Sequence, residues 1–393
     1  MSADPRLRNP VATEELERRW RKVRAGMREA KLEAIVVQGA NNFAGGGGYF
    51  RWLTGIPPLG TYPQSVIFPA DGPMTLVQHG DFNADMRLDP AQTVNYGIAR
   101  RLTSPAFPAI GYTRDYDAEL AAGVIRQAGY RRVGLVGGFM MYHGFASRLV
   151  ALLGEVVLED ATDFVDQIKA IKSEWDIGEI RRAAQMQDEI FAKVCTHVEP
   201  GQHDYDVMAY SDYVGNLLGG ETGYFLGSSS PPGQPALFRM KAQHGRRIEK
   251  GDVLVWQAEN SGPGGFFTHL CRYIVLGNAP QQLVDHYGAA REAQDYTLGL
   301  LKPGVPCREI FAQYNDYMRG RGSAQEKRLH CHGQGYENVE RPLMRNDESM
   351  SVHPGMNIGI HPIVGWVTVC DNFLVGDDGA ERLHRTPYDI VEL

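Results

Sequence analysis

The sequence predicts a two-domain α/β chain, α+β in its second half. A small N-terminal α/β domain spans residues 1–164 and a larger domain spans 165–393. Three observations carry this reading. The chain has 393 residues, enough for two hydrophobic cores. Strand-like and helix-like stretches alternate through the first part, the pattern of an α/β layer. The last third is rich in short apolar strands between glycine- and proline-containing turns.

The elements follow in order. Residues 12–32 are charged, with Leu16, Trp20, Val23 and Met27 at three- and four-residue steps, which makes an amphipathic helix. Glu33 to Gln38 reads as a buried strand. Asn41-Asn42-Phe43 and the glycines Gly45 to Gly48 read as a loop, followed by Tyr49-Phe50-Arg51-Trp52-Leu53-Thr54-Gly55. Gln64 to Pro69 and Met74 to Val77 form a hairpin around Ala70-Asp71-Gly72-Pro73. Asp117 to Gly129 is helical and Arg132 to Val136 is a strand. The Gly137-Gly138 that follows lacks a dinucleotide fingerprint.

The domain junction falls near Asp160 to Phe164. A long helix runs from Glu174 to about His197 and ends before Pro200-Gly201. Asp204 to Leu218 is a second helix. Tyr224 to Gly227 is a short strand, and Ser228 to Pro235 is a polar, turn-rich loop. Lys250 to Gln257 is a turn and an apolar strand, with a loop from Glu259 to Gly265. Gln282 to Leu301 and Cys307 to Arg319 are helices separated by Lys302-Pro303-Gly304-Val305.

Composition narrows the function. A net charge of −7 with no basic stripe gives nucleic-acid binding no support. No apolar run approaches the roughly 18 residues that span a membrane. Met1-Ser2-Ala3-Asp4-Pro5-Arg6 lacks the apolar core of a signal peptide. Five cysteines, few and odd in number, fit reduced thiols better than a disulfide framework. The expectation is a cytoplasmic protein acting on a small-molecule substrate.

The last third holds the residues with chemistry. Gly251-Asp252 precedes a strand, and Gly265-Phe266-Phe267-Thr268-His269-Leu270-Cys271-Arg272 follows. Then come His332-Gly333-Gln334-Gly335, Glu340-Arg341-Pro342, Gly355-Met356-Asn357-Ile358-Gly359-Ile360-His361-Pro362 and Cys370-Asp371. In this order the motifs resemble the creatinase, prolidase and methionine aminopeptidase superfamily, the pita-bread fold, over residues 165–393. The first half bears a weaker resemblance to the smaller α/β domain of the creatinase and prolidase branch.

The resemblance has several implications. A homodimer is expected. Arg51, Trp52 and Tyr62 become candidates to touch substrate, with core packing the competing role for Trp52. The metallopeptidases of this superfamily hold two metal ions with two Asp, one His and two Glu. Here the first Asp position falls at Ala258, or at Gln257 if the loop has one inserted residue. The second falls at His269, the His at His332, and the two Glu at His361 and Cys370. Two dications need bridging carboxylates to offset their charge, so an ordinary dinuclear aminopeptidase is not expected.

Two readings of the replacements stay open. In one the site has no metal, as in creatinase, and works by acid/base chemistry centred on His332, the residue that metal-dependent and metal-free branches both retain. In the other, His269, His332, His361 and Cys370 hold one transition metal ion, whether Zn, Fe, Cu or Ni. Glu259 is a candidate base or cation-binding carboxylate, or else a loop residue capping backbone amides. Glu340 and His361 complete the catalytic candidates. Arg272 either supports the site layer or binds a substrate carboxylate, and Asp371 is placed to orient an imidazole. His244 is expected in a solvent-exposed turn, and His330 and His353 at the surface or in support.

The leading functional expectation is hydrolysis of a C–N bond in a small, polar, nitrogen-containing molecule, as creatinase does. The alternatives are a single-metal lyase or oxygenase, an Xaa-Pro peptidase-like enzyme, or a protein that binds a ligand without turnover.

Overall fold

The computed structural model describes residues 7–39, 46–60, 62–91 and 94–393. Met1–Arg6, read above for a signal peptide, and the expected loop at Asn41–Phe43 and Gly45 lie outside the described residues. The chain divides into two compact units, Met1–Lys169 and Ala170–Leu393. A helix over Thr162–Ala170 runs through the junction expected at 164–165, so the division comes later.

In the first unit α1 (Thr13–Glu29) buries Leu16, Trp20, Val23 and Met27, the stripe read from the sequence. It is followed by β1 (Ala34–Gln38), α2 (Gly48–Thr54), β2 (Gln64–Pro69), β3 (Met74–His79), β4 (Ala84–Arg87) and β5 (Ile98–Ser104). Then come α3 (Tyr116–Ala128), β6 (Arg132–Val136), α4 (His143–Leu152), β7 (Val157–Asp160) and α5 (Thr162–Ala170). The seven strands form one mixed sheet in the order β4-β5-β3-β2-β1-β6-β7. The β2–β3 pair is the predicted hairpin, and β6 and β7 continue parallel beside β1. α3 and α4 cover a face built on Val36, Ile67, Val77 and Val133. The strands β4, β5 and β7 are half-polar and carry no clear alternation in sequence, so pattern alone does not reveal them.

The second unit opens with α6 (Glu174–Cys195), capped by Ser173, whose Oγ accepts from the Asp176 N–H at 3.1 Å, and continues with α7 (Asp204–Leu217). Next are β8 (Gly223–Ser230), β9 (Val253–Ser261), β10 (Phe267–Val275), α8 (Gln281–Leu300) and α9 (Cys307–Gly320). The short strands are β11 (Cys331–Gly333), β12 (Glu340–Leu343), β13 (Asn357–Ile360), β14 (Ile363–Val364), β15 (Val367–Thr368), β16 (Asp371–Val375), β17 (Ala380–Arg382) and β18 (Val391–Glu392). One sheet has the order β18-β10-β9-β8 and another β12-β11-β13-β16-β17. Two predicted loops are strand instead. Ser228–Ser230 extends β8, and Glu259–Ser261 extends β9, because each pairs with a neighbour along its length.

Alternation along these strands decides what faces the site. In β9 and β10, Leu254, Trp256, Ala258, Leu270 and Ile274 pack against α6 and α7. The intervening residues, Gln257, Glu259, His269 and Cys271, take the other face. In the second sheet Ile358, Ile360, Cys331 and Phe373 pack with Leu301, just past α8, and with Cys307 and Ile310 of α9. Their alternates are His332, Gly359 and Asn372, with His361 and Cys370 just beyond the strand ends. Among the described residues no helix is long and apolar enough to cross a membrane.

Candidate active site

Three imidazoles converge where the two site faces meet. The His269 and His332 ring centres are 5.4 Å apart, His269 and His361 5.4 Å, and His332 and His361 5.0 Å. The planes are steeply inclined, at 67°, 84° and 57°. The backbone holds them firmly. The His269 N–H donates to Asn372 Oδ1 at 2.8 Å, and that amide donates onward to Gln334 and Asn357. The His361 N–H donates to the His330 carbonyl at 2.8 Å. His332 Nδ1 lies 2.9 Å from the Gly333 carbonyl, an acceptor only, so Nδ1 carries the hydrogen and Nε2 keeps its lone pair.

Burial keeps all three rings neutral. It lowers the His332 pKa to about 4, against the hydrogen bond to Gly333 and with help from the charge of Arg328. It lowers His269 and His361 well below the usual histidine range, and His332 further disfavours a proton on both. Nε2 of His269 and Nε2 of His361 are buried with no hydrogen-bond partner.

Glu259 stands directly across from His269 on β9. It is a strand residue with a specific network, not a loop carboxylate capping amides. Its Oε2 accepts from Asn338 at 2.6 Å and its Oε1 from Gln257. Burial raises its pKa, opposed by those two hydrogen bonds. Gln257 Oε1 in turn lies 3.5 Å from Cys370 Sγ. Of the two candidates for the first Asp position, Gln257 is on the site face and Ala258 is in the core behind it. Cys370 is buried, its thiol held by Gln257 and Thr368, and burial beside Cys271 pushes its pKa well up. Glu340 is buried in an ion pair with Lys172 at 3.0 Å, and its other oxygen accepts from the Glu337 N–H.

Several expectations are corrected. Arg272 is turned away from the three imidazoles. It lies on the opposite face of β10 from His269, fully buried, and donates to Asp371 Oδ1 at 2.8 Å and to the carbonyls of Cys271, Cys370 and Pro387. Asp371 alternates away from the site for the same reason. It holds Arg272 and Arg382, with His384 at 3.7 Å, and does not orient a site imidazole. His244 is 1% exposed, with Nε2 2.7 Å from the Arg239 carbonyl, not in a solvent-exposed turn. His330 is fully buried and stacked on Tyr314 at 3.5 Å, whereas His353 is exposed.

In the first unit, Arg51 and Trp52 are buried in α2, and Trp52 sits beneath the Arg19 guanidinium at 5.5 Å, the packing role. Tyr62 is half-exposed and stacked on His79 at 4.3 Å.

Sequence reading missed four participants. Arg328 is exposed, yet its charge acts on His332, His361 and Glu259. Asn338 and Asn372 are buried amides that carry the network. Gly359 lacks the Cβ that would lie 2.2 Å from His269 Nε2. A glycine inside a strand pattern is the signal that could have shown this last one.

Among the described residues no three His, Cys, Asp or Glu side chains have their donor atoms assembled as around an ion. The donor set also does not fit two dications. Gln257, the three imidazoles and a protonated thiol stand at the centre, while Glu259 and Glu340 are already engaged.

The fold, and the site carried between its two C-terminal sheets, define a chain of the pita-bread class. The model of metallopeptidase family M24 matches residues 178–380, more than half of the chain, and the protein belongs to that family of hydrolases. A crystal structure of recombinant prolidase from Thermococcus sibiricus matches with a TM-score of 0.77, covering 97% of this chain and 100% of that one, at 18% identity, a likeness of fold. An uncharacterised peptidase, YqhT, of Bacillus subtilis is 24% identical over 288 residues, 70% of this chain and 79% of that protein. The Xaa-Pro dipeptidase of Pyrococcus horikoshii is 25% identical over 272 residues, 63% of this chain and 72% of that protein.

Proposed function

We propose that this M24 hydrolase cleaves a C–N bond in a small, polar, nitrogen-containing molecule. The observation that carries the reading is the buried set of three neutral imidazoles where a dinuclear peptidase needs carboxylates. Each part of the site then has a task. His332 Nε2, its tautomer set by Gly333, accepts a hydrogen bond from the attacking water or a substrate N–H. Glu259, with its raised pKa, exchanges a proton with the leaving nitrogen. Arg328 meets a negative end of the substrate. The working unit in this proposal is a homodimer, which analytical ultracentrifugation would check.

The relatives' names favour a second reading, Xaa-Pro dipeptide hydrolysis. Purified protein offered amide, guanidino and ureido compounds beside Xaa-Pro dipeptides separates the two. Turnover of the small compounds, abolished in His332→Ala and with a KM raised about tenfold in Arg328→Ala, supports the proposal. Turnover confined to Xaa-Pro dipeptides overturns it, and so does turnover of neither group.

A further inference from the structure

Glu259 is the one residue of β9 (Val253–Ser261) that is not fully buried, and it lies on the face that carries His269. What its carboxylate can offer a ligand is fixed by a chain of buried amides. The His269 backbone N–H can only donate, so the Asn372 side chain turns Oδ1 to it, at 2.8 Å, and Nδ2 away. That Nδ2 donates to Gln334 Oε1 at 2.7 Å and to Asn357 Oδ1 at 2.9 Å. Gln334 Nε2 donates in turn to Asn338 Oδ1 at 2.8 Å, and Asn338 Nδ2 to Glu259 Oε2 at 2.6 Å. Gln257 Nε2 donates to the other carboxylate oxygen.

Asn372 and Gln334 are fully buried and Asn338 is 4% exposed. Turning any of the three over would set oxygen against oxygen and hydrogen against hydrogen, a costly mismatch away from water. The direction of the whole chain therefore follows from its donor-only start, and it ends by making Glu259 an acceptor. His332 turns an acceptor to the pocket as well, because its Nδ1–H is held on the Gly333 carbonyl and Nε2 keeps its lone pair.

We propose that this chain sets the substrate class of the pocket: the nitrogen of the bond to be cleaved carries a hydrogen, and prolyl bonds, whose nitrogen carries none, are refused. This rests on the reading of the same pocket as the hydrolytic site. A substrate N–H satisfies an acceptor that has given up its water. A tertiary amide strips the same acceptor of water and returns nothing, and sites built on such hydrogen bonds reject the analogue that lacks them. Asn338 is then a positioning residue, acting on the substrate through Glu259.

The test measures binding to the full chain by saturation-transfer NMR for two matched pairs. N-Methylacetamide and methyl acetate have nearly one shape and differ in N–H against oxygen. Gly-Gly and Gly-Pro differ in the hydrogen on the peptide nitrogen. The N–H member of each pair is expected to bind at least about tenfold more tightly. Asn338→Asp keeps the side chain's shape but removes the donor, and two facing carboxyls share a proton. Glu259 can then present a hydrogen, and the preference should shrink to within about twofold. Circular dichroism checks the fold. Should that variant not fold, Gln334→Glu makes the same reversal one link earlier. Equal binding within the pairs, tighter binding of methyl acetate or Gly-Pro, binding of none of the four, or an unchanged preference in the folded variant overturns the proposal. Turnover separates this from the functional reading. A preference for N–H ligands with no small C–N compound cleaved keeps the preference and sinks hydrolysis. Equal cleavage of amides with and without the N–H does the reverse.

Discussion

Gly359 is the residue on which the geometry of the site turns. A methyl group there would lie 2.2 Å from His269 Nε2 and 2.7 Å from its Cε1, so the ring or β13 must shift to admit it. Overpacking of this kind costs about 1–3 kcal/mol. Gly359→Ala is therefore expected to lower stability by that amount in urea unfolding and to depress kcat, because the displaced ring is central to the pocket. An unchanged unfolding midpoint would mean that the ring has room to retreat. At this scale the sequence is a good guide to chemical type and a poor one to direction. It singles out His269, His332 and His361, and these three rings do meet. It also singles out Arg272 and Asp371, which are equally polar and equally close in sequence. One step along a strand sends those two to the other face, where they satisfy each other.

At the scale of elements, that displaced pair acts as a clamp. Asp371 at the head of β16 accepts from Arg272 of β10 and from Arg382 of β17, and thereby ties three strands together. Burial raises the Asp371 pKa, but Arg272, His384 and Arg382 outweigh it and hold the carboxyl below its ordinary value. Asp371→Asn leaves the fully buried Arg272 without its counter-charge, and such losses cost about 3–5 kcal/mol. Urea unfolding of Asp371→Asn should show this loss, while replacement of an exposed ion pair such as Arg319–Asp316 should show almost none.

A second element-scale prediction concerns α3. Burial lifts the pKa of Asp117 from 3.8 to about 6. The folded state thus holds a proton that the unfolded state has released between about pH 4 and pH 6, and stability falls as pH rises through that window. Asp117→Asn should therefore be more stable than the parent at pH 7, by roughly 2–3 kcal/mol, and equal to it at pH 3.5. Equal stability of the two proteins at both pH values would show that Asp117 ionises freely in the folded chain.

For the whole molecule, the segment after the junction of the two units has a marked feature. Lys172 lies three residues past Lys169, and its ammonium is buried against Glu340, with both side chains 4% exposed. Lys172→Met deprives Glu340 of that ammonium and should cost about 3–5 kcal/mol in the second unit's unfolding. Lys172→Met with Glu340→Gln should recover much of it, as neutralising both partners does. If the double variant is no better than the single, the contact is not an energetic pair. The sequence offered Glu340 as a catalytic candidate and gave no sign of its buried pairing with Lys172.

The sequence by itself determined the two-domain α/β plan, the family, the long helices with their buried stripes, and the residue types at the centre of the site. These are local facts: periodicity of apolar side chains, turn chemistry, and motifs of fixed spacing. Only the tertiary structure decided which of Gln257 and Ala258 faces the pocket, that Glu259 is a strand residue opposite His269, that His244 and His330 are buried, and that Arg328 bears on the imidazoles. Each of those depends on strand register and on which sheet face a neighbour occupies. A shift of one residue reverses every side chain of a strand, and nothing in the linear order of residues fixes that shift until the sheets pair and pack.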